Sequence, residues 1–260
     1  MITMLKFSEA NAKLSKLTGK VYSLDLQAGV ACPFSKQCKS QVVLTDKGRR
    51  IKDGPNCLFR CFSASQEVTF PHTYKMRKNN YLAIKGAKSK KQIVKLILTA
   101  LPKNATIIRY HVGGDFFKQS YFDAAIEVAK LNPHIVFYAY TKSLPFWVRR
   151  LNSIPTNFVL TASYGGKCDH LISLYNLRYV KVVFSIDEAQ KKGLPLDNDD
   201  SYASKNKGSF ALLLHGTQPK GSLAAKAWKK LGMKGYRKKG AKTGDYFARY
   251  RFSPTGTQTQ

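Results

Sequence analysis

Six short runs of β-branched, aromatic and aliphatic residues recur along this chain, and a stretch with helical spacing lies between most of them. The runs are VYSLDLQ (21–27), TIIRYHV (106–112), IVFYAYT (135–141), FVLTAS (158–163), VKVVFS (180–185) and FALLLHG (210–216). Between them lie KKQIVKLILTAL (90–101), SYFDAAIEVAKL (120–131), PFWVRRLNS (145–153), DHLISLYNL (169–177) and SLAAKAWKKLG (222–232). Near-continuous apolar strands alternating with helices predict an α/β fold, a parallel sheet covered by helices. In 120–131 the residues Phe122, Ala125, Ile126, Val128 and Ala129 share one helical face, with Ser120 placed to cap it. Another helix is expected from about Ser63, with SASQE as its capping region. Six units suit either an open doubly wound sheet or an incomplete TIM-type barrel. In both, chemistry gathers at the C-terminal ends of the strands.

Those ends are where the polar residues fall. They carry His111 with Gly113, Gly114 and Asp115; Tyr140, Thr141, Lys142 and Ser143; Thr161 and Ser163; Ser185; and His215. Small polar residues suit any turn after a strand, but two histidines and a lysine at three ends predict a polar pocket. Phe137 and Ala139 alternate with Tyr138 and Tyr140, so one face of that strand packs on helices and the other turns to the pocket.

No run of eighteen apolar residues occurs, and MITMLKFSEANAKLSKL lacks the apolar core of a signal peptide. A cytoplasmic, reducing setting is expected, the host cytoplasm if the chain is phage-encoded. Five cysteines then point to metal or redox chemistry more than to a disulfide framework. ACPFSKQCKS supplies Cys32 and Cys38 directly after the first strand, and GPNCLFRCFSASQE supplies Cys57 and Cys61; Cys168 stands apart. A four-cysteine zinc site usually shows pairs two to four residues apart. Here the pairs are C-x5-C and C-x3-C. Three thiolates with one open position suit an iron–sulfur cluster whose remaining iron binds a ligand. Cys32, Cys38 and Cys61 are the preferred three, with Cys57 a spare or a substitute.

The charge balance adds a partner. Lys and Arg number 44 against 15 Asp and Glu, a formal net charge of +29. A compact chain that basic repels itself, and nucleic acid is the natural counter-charge. From Lys220 to Arg251 eleven Lys and Arg face one acid and are interleaved with Trp228, Tyr236, Tyr246, Phe247 and Tyr250, a pattern suited to phosphates and stacked bases. The chain then divides into an N-terminal strand and cysteine loop (1–62), a βα core (63–232) and a basic aromatic segment (233–260).

Six segments in order, GVACPFSKQCKS, RCFSASQE, YHVGGDFF, FYAYTKSLPFWV, LTASYGG and LLLHGTQPKGS, resemble the gene-product-88-like family of phage and plasmid proteins. A more distant resemblance is to radical S-adenosylmethionine (SAM) enzymes. It implies a six-unit parallel (βα) partial TIM-type barrel and a [4Fe–4S] cluster held by three cysteines after the first strand. It further implies SAM, its amino end bound by Gly113, Gly114 and Asp115 in place of a Gly-Gly-Glu stretch. Ser163, Ser185 and the HGTQPKG turn would line the SAM or substrate pocket, and His111, Lys142 and His215 would orient substrate or move protons. The usual C-x3-C-x2-C run of those enzymes is missing, so a loop of about thirty residues has to fold back to gather the cysteines.

Two other classes compete. A non-catalytic nucleic-acid-binding protein would use the cysteines for structural Zn2+. A metal-dependent nuclease would pair Asp115 with Asp197, Asp199 and Asp200, near His111.

Overall fold

A computed structural model describes residues 4–11 and 13–232. All six expected strands are present: β2 (Val21–Ser23), β5 (Ile107–Tyr110), β6 (Val136–Thr141), β7 (Phe158–Ser163), β8 (Tyr179–Val183) and β9 (Phe210–Leu213). They pair in parallel and in chain order, and β1 (Ser8–Glu9) adds an antiparallel edge to β2, giving the sheet order β1-β2-β5-β6-β7-β8-β9. The order of the parallel strands nowhere reverses. Each connection between parallel strands therefore joins immediate neighbours.

The helices are α1 (Phe62–Thr69), α2 (Pro71–Gly86), α3 (Lys90–Ala100), α4 (Gln119–Leu131), α5 (Leu144–Val148), α6 (His170–Leu174), α7 (Ile186–Lys191), α8 (Ser201–Ser204) and α9 (Leu223–Lys230). One face of the sheet, with Ile108, Tyr110, Phe137, Ala139 and Phe158, packs against Ile93 and Ile97 of α3 and Phe122, Ala125 and Ile126 of α4. The opposite face carries Tyr138, Val180 and Phe210, closed at one end by Leu14, Leu17 and Ala203. That second face holds a buried charge. Asp200 accepts hydrogen bonds from Tyr138 and Tyr140 and pairs with Arg109 and Lys13.

Three local expectations are corrected. The cap of α4 is Lys118, and Ser120 lies inside the helix. The cap of α1 is Cys61, so Ser63–Glu67 form helix rather than its lead-in. The third is an element the strand pattern did not contain: a β-hairpin, β3 (Ser40–Thr45) with β4 (Gly48–Asp53), set apart from the main sheet. No helix among the described residues is long and apolar enough to cross a membrane. The segment 233–260, expected to be a basic aromatic appendage, lies outside the described residues.

Candidate functional site: a thiol-lined cavity at the strand ends

The hairpin explains the wide cysteine spacing. Its base pairs Ser40 with Asp53, which returns the chain to where it left. Gly54 N–H then donates to the Lys39 carbonyl, the N–H groups of Leu58 and Phe59 donate to the Gln37 carbonyl, and Cys61 N–H donates to Ser40 Oγ. Segments 37–40 and 54–61 thus lie side by side, although Cys38 and Cys61 are more than twenty residues apart in sequence.

The cysteine loop is also pinned to the sheet. Lys36 and Gln37 N–H donate to the Gly165 carbonyl, Lys167 N–H to Phe34 and Asp115 N–H to Ala31. Lys39 Nζ donates to the carbonyls of Gly29 (2.6 Å) and Cys32 (2.7 Å), drawing the first turn of the loop together. From the turn after the last strand, the Gln218 side chain accepts from Arg60 N–H at 2.7 Å and donates to the Arg60 carbonyl at 3.1 Å.

The result is a cavity of about 140 Å³ at the C-terminal ends of the strands. Cys32, Cys38 and Cys61 line it together with His111, Gly114, Asp115, Lys142, Ser163 and His215, and Val180, Val182, Leu212 and Leu214 form an apolar wall. Two residues that sequence reasoning passed over also face it: Arg109, inside a strand body read as apolar, and Phe62. The signal for Arg109 was its position two before His111, on the same face of the strand.

Three of the expected site residues lie elsewhere. Gly113 is absent from the lining; a Cβ there would sit 2.2 Å from Ser63 Oγ and 2.9 Å from Arg77 Cζ, so α1 and α2 require that glycine. Ser185 caps α7, accepting from Glu188 N–H at 3.1 Å. Cys57 is absent from the cavity lining, its thiol on the Phe59 carbonyl at 3.1 Å. A polar residue after a strand serves a helix cap or a ligand equally well, and only the neighbours tell which.

Gly114 has φ +88°, and an added Cβ would lie 2.6 Å from Leu26 Cβ and 3.0 Å from the Leu26 backbone. Gly114→Ala therefore combines left-handed strain with a backbone clash. It is expected to cost about 2–4 kcal/mol, read as a shifted midpoint in denaturant unfolding.

The electrostatics follow from burial. Burial pushes the Cys32 thiol well up, with Asp115, Cys61 and Cys38 adding to it, and pushes Cys61 up to about 12, with Cys38 next. As bare thiols these are neutral near pH 7, and each ionisation opposes the others. A bound cationic centre would reverse that, since metal coordination deprotonates a thiol. All five cysteines are free thiols. Among the described residues no group of three or more His, Cys, Asp or Glu side chains is arranged so that it could hold a metal ion as it stands. A single Zn2+ with 2.3 Å bonds gathers its sulfurs to within about 3.8 Å of one another. A cluster spreads its thiolates over separate irons and so sets a different spacing from a single ion.

Asp115 is buried and accepts from Phe116 N–H and Thr141 Oγ1 (both 2.7 Å) on Oδ1 and from Lys142 N–H (2.8 Å) on Oδ2. Burial still pushes its carboxyl up. One Oδ2 lone pair remains, which fits an ammonium or one further donor. His111 holds Tyr121 Oη at 2.7 Å through Nε2, and its Nδ1 is buried without a partner. Burial, then Arg109, lowers its pKa to about 3. His215 contacts the Leu213 carbonyl at 3.0 Å through Nδ1, which puts the ring hydrogen there and leaves Nε2 an acceptor; burial lowers it to about 4. Lys142 Nζ donates to Ser163 Oγ.

The nuclease residues are not gathered. Asp197, Asp199 and Asp200 do not line the cavity, and both oxygens of Asp200 are taken by the cations and tyrosines around it.

A family model described as gene product 88 matches residues 4–233. The chain belongs to the gene product 88 family. No curated protein and no solved structure matches it. For this gene product 88 chain the cavity itself is thus the source of functional inference. At about 140 Å³ it is smaller than the ~300–1,000 Å³ of pockets that enclose drug-sized ligands. A nucleoside-sized ligand would extend through its mouth or move its wall.

Proposed function

We propose that this protein is an iron–sulfur, radical-SAM-like enzyme that acts on nucleic acid. The observation that carries the reading is the convergence of Cys32, Cys38 and Cys61 on one strand-end cavity beside Gly114 and Asp115, with Cys57 outside its lining. Six parallel strands in chain order are what a partial (βα) barrel requires, and a cavity at their C-terminal ends is where such a barrel works. The net charge of +29 supports the polyanionic substrate.

In this reading Cys32, Cys38 and Cys61 hold a [4Fe–4S] cluster. With SAM beside it, such a cluster supplies one-electron chemistry directed at a sulfonium. The chain's own residues do the positioning. Asp115 Oδ2 offers its remaining lone pair to an ammonium, and its other bonds hold the carboxylate still. His111 Nδ1 and His215 Nε2 belong to neutral rings near pH 7, so they orient a substrate by hydrogen bonds rather than carry charge. The wall of Val180, Val182, Leu212 and Leu214 keeps water from one side of the cavity.

The test is metal analysis with an absorption spectrum on protein purified without oxygen. About four irons per chain and broad absorption near 400 nm are expected for the wild type and for Cys57→Ala. Iron should fall to near zero in Cys32→Ala, Cys38→Ala and Cys61→Ala. Stoichiometric zinc that needs Cys57 as well would replace this reading with a structural zinc site in a binding module.

A further inference from the structure

The β3–β4 hairpin lies wholly between Cys38 and Cys57, and closing the thiol-lined cavity needs only its base. One face packs on α1: Val42 is buried, and Arg49 donates to the Val68 carbonyl at 3.4 Å. The other face is covered near its base, where Gln41 and Val43 are half-buried, and exposed at its cations. By the pairing register Gln41 lies opposite Lys52, Val43 opposite Arg50 and Thr45 opposite Gly48, so these six share that face. Arg50 and Lys52 are exposed on it, and Lys47 is exposed at the turn.

The hairpin's two acids do little to offset this charge. Asp53 is held by both arms of the Arg60 guanidinium, and Asp46 sits at the tip. Toward the cavity, the loop that carries Cys38 adds exposed Lys36. Exposed Lys167 stands beside it, because its N–H bonds to Phe34 while Lys36 N–H bonds to Gly165. Leu58, 59% exposed, precedes Phe59, which lines the cavity.

We propose that the exposed cations of the hairpin, Arg50 and Lys52 on this face and Lys47 at the turn, dock the phosphate backbone of a single nucleic-acid strand and lead it to the cavity. This rests on the nucleic-acid part of the proposed function and is independent of the cluster. Two exposed cations on this face and a third at the turn, against the single exposed acid Asp46, have phosphates as their natural counter-charge. The strand is single because a narrow cavity at the strand ends admits a base only when it is out of the duplex stack. An exposed leucine at the lip offers an apolar surface to such a base.

The experiment titrates labelled 20-mers, single-stranded DNA, single-stranded RNA and duplex DNA, by fluorescence anisotropy over a range of salt. Three proteins are compared: the full chain, the triple variant Lys47→Gln/Arg50→Gln/Lys52→Gln, and a control with equal charge removed from the helical side, Lys88→Gln/Lys91→Gln/Lys95→Gln. The hairpin triple is expected to bind single strands at least tenfold more weakly near 0.1 M salt. Its log–log salt slope should fall by about 2, from ~0.7 per lost phosphate contact. The control should stay within twofold of the wild type, and Lys47→Arg/Lys52→Arg should retain full binding. Which of DNA and RNA binds tighter identifies the substrate strand.

Equal losses in both triples would overturn the proposal, as would an unchanged hairpin triple or a preference for duplex. Thermal unfolding of each variant checks that the hairpin still folds. Iron is measured on the same samples. Protein without iron that loses strand binding only in the hairpin triple would defeat the cluster reading and support this one.

Discussion

Asp200→Ala is expected to lower stability by about 3–5 kcal/mol, the cost of stripping a partner from a buried ion pair, and to lower the melting temperature by roughly 10 °C. Asp200 is fully buried between Arg109 on β5 and Lys13 near the N-terminus, and Tyr138 and Tyr140 on β6 donate to it at 2.9 Å each. Removing it leaves the Arg109 guanidinium inside the sheet without a counter-charge, and alanine tolerates the local φ of +64° less well than aspartate. Burial alone would raise this carboxyl, yet Arg109 and then Lys13 hold it well below the usual carboxylate range. Its pKa is thus lower folded than unfolded. The stability it adds is fully present above the unfolded value and is lost only in strong acid. Asp200→Asn keeps the shape and isolates the charge, so it should lose most of the same stability near pH 7. Asp199→Asn, half-exposed and next to it, should stay within about 1 kcal/mol.

Glu67→Gln should stabilise the protein above neutral pH, by up to about 3 kcal/mol. Glu67 sits in a second buried cluster, behind Gly113. Its Oε1 accepts from Ala28 N–H at 2.9 Å and meets Arg77 at 3.4 Å, while Oε2 has no partner. Arg77 is shared with Asp25 at 3.5 Å, so neither carboxylate has a close ion pair. Burial outweighs Arg77 and pushes Glu67 up from 4.5 to about 7. Here the folded pKa is the higher one, so between about 4.5 and 7 the native state holds a proton that the unfolded chain releases. Stability therefore falls as pH rises through that window and stays lower above it. The shift corresponds to roughly 3 kcal/mol, an upper figure because glutamine still has to satisfy the same cavity. Urea unfolding at pH 5 and pH 8 reads it: stability at pH 8 relative to pH 5 should be higher in Glu67→Gln than in the wild type by about 2–3 kcal/mol, since the buried His111 and His215, which favour the higher pH, act alike in both proteins. An unchanged difference would mean that another group carries the pH dependence.

The two clusters show why parts of this molecule were hidden in its sequence. The six parallel strands of the main sheet are legible because a largely apolar run needs no partner information; its own side chains declare it, whereas the edge strand β1, only Ser8–Glu9, carries no such run. The helix α2 was not legible, since its inward positions include Arg77 and Asn80, and these make sense only against Glu67, Asp25 and the backbone of Lys6. The hairpin fails the same test. Val43 is the one large apolar side chain among its outward strand positions, and its inner face needs α1 to be recognised as a core.

At the cavity the division is similar. Strand-end position was sufficient to find His111, Gly114, Asp115, Lys142, Ser163 and His215, because a sheet that runs one way puts every C-terminal end on one rim. Residue type after a strand was not sufficient to separate them from Gly113 and Ser185, which satisfy packing and a helix cap. By itself the amino-acid sequence determined the alternation of strands and helices, the rim where polar groups collect, and the family. Only the tertiary structure decided the chain-order sheet, which three thiols line the cavity and which one lies outside its lining. The reason is physical: periodicity is a property of neighbours a few residues apart, whereas Cys38 meets Cys61 only because twelve residues between them pair with each other and cancel their own length.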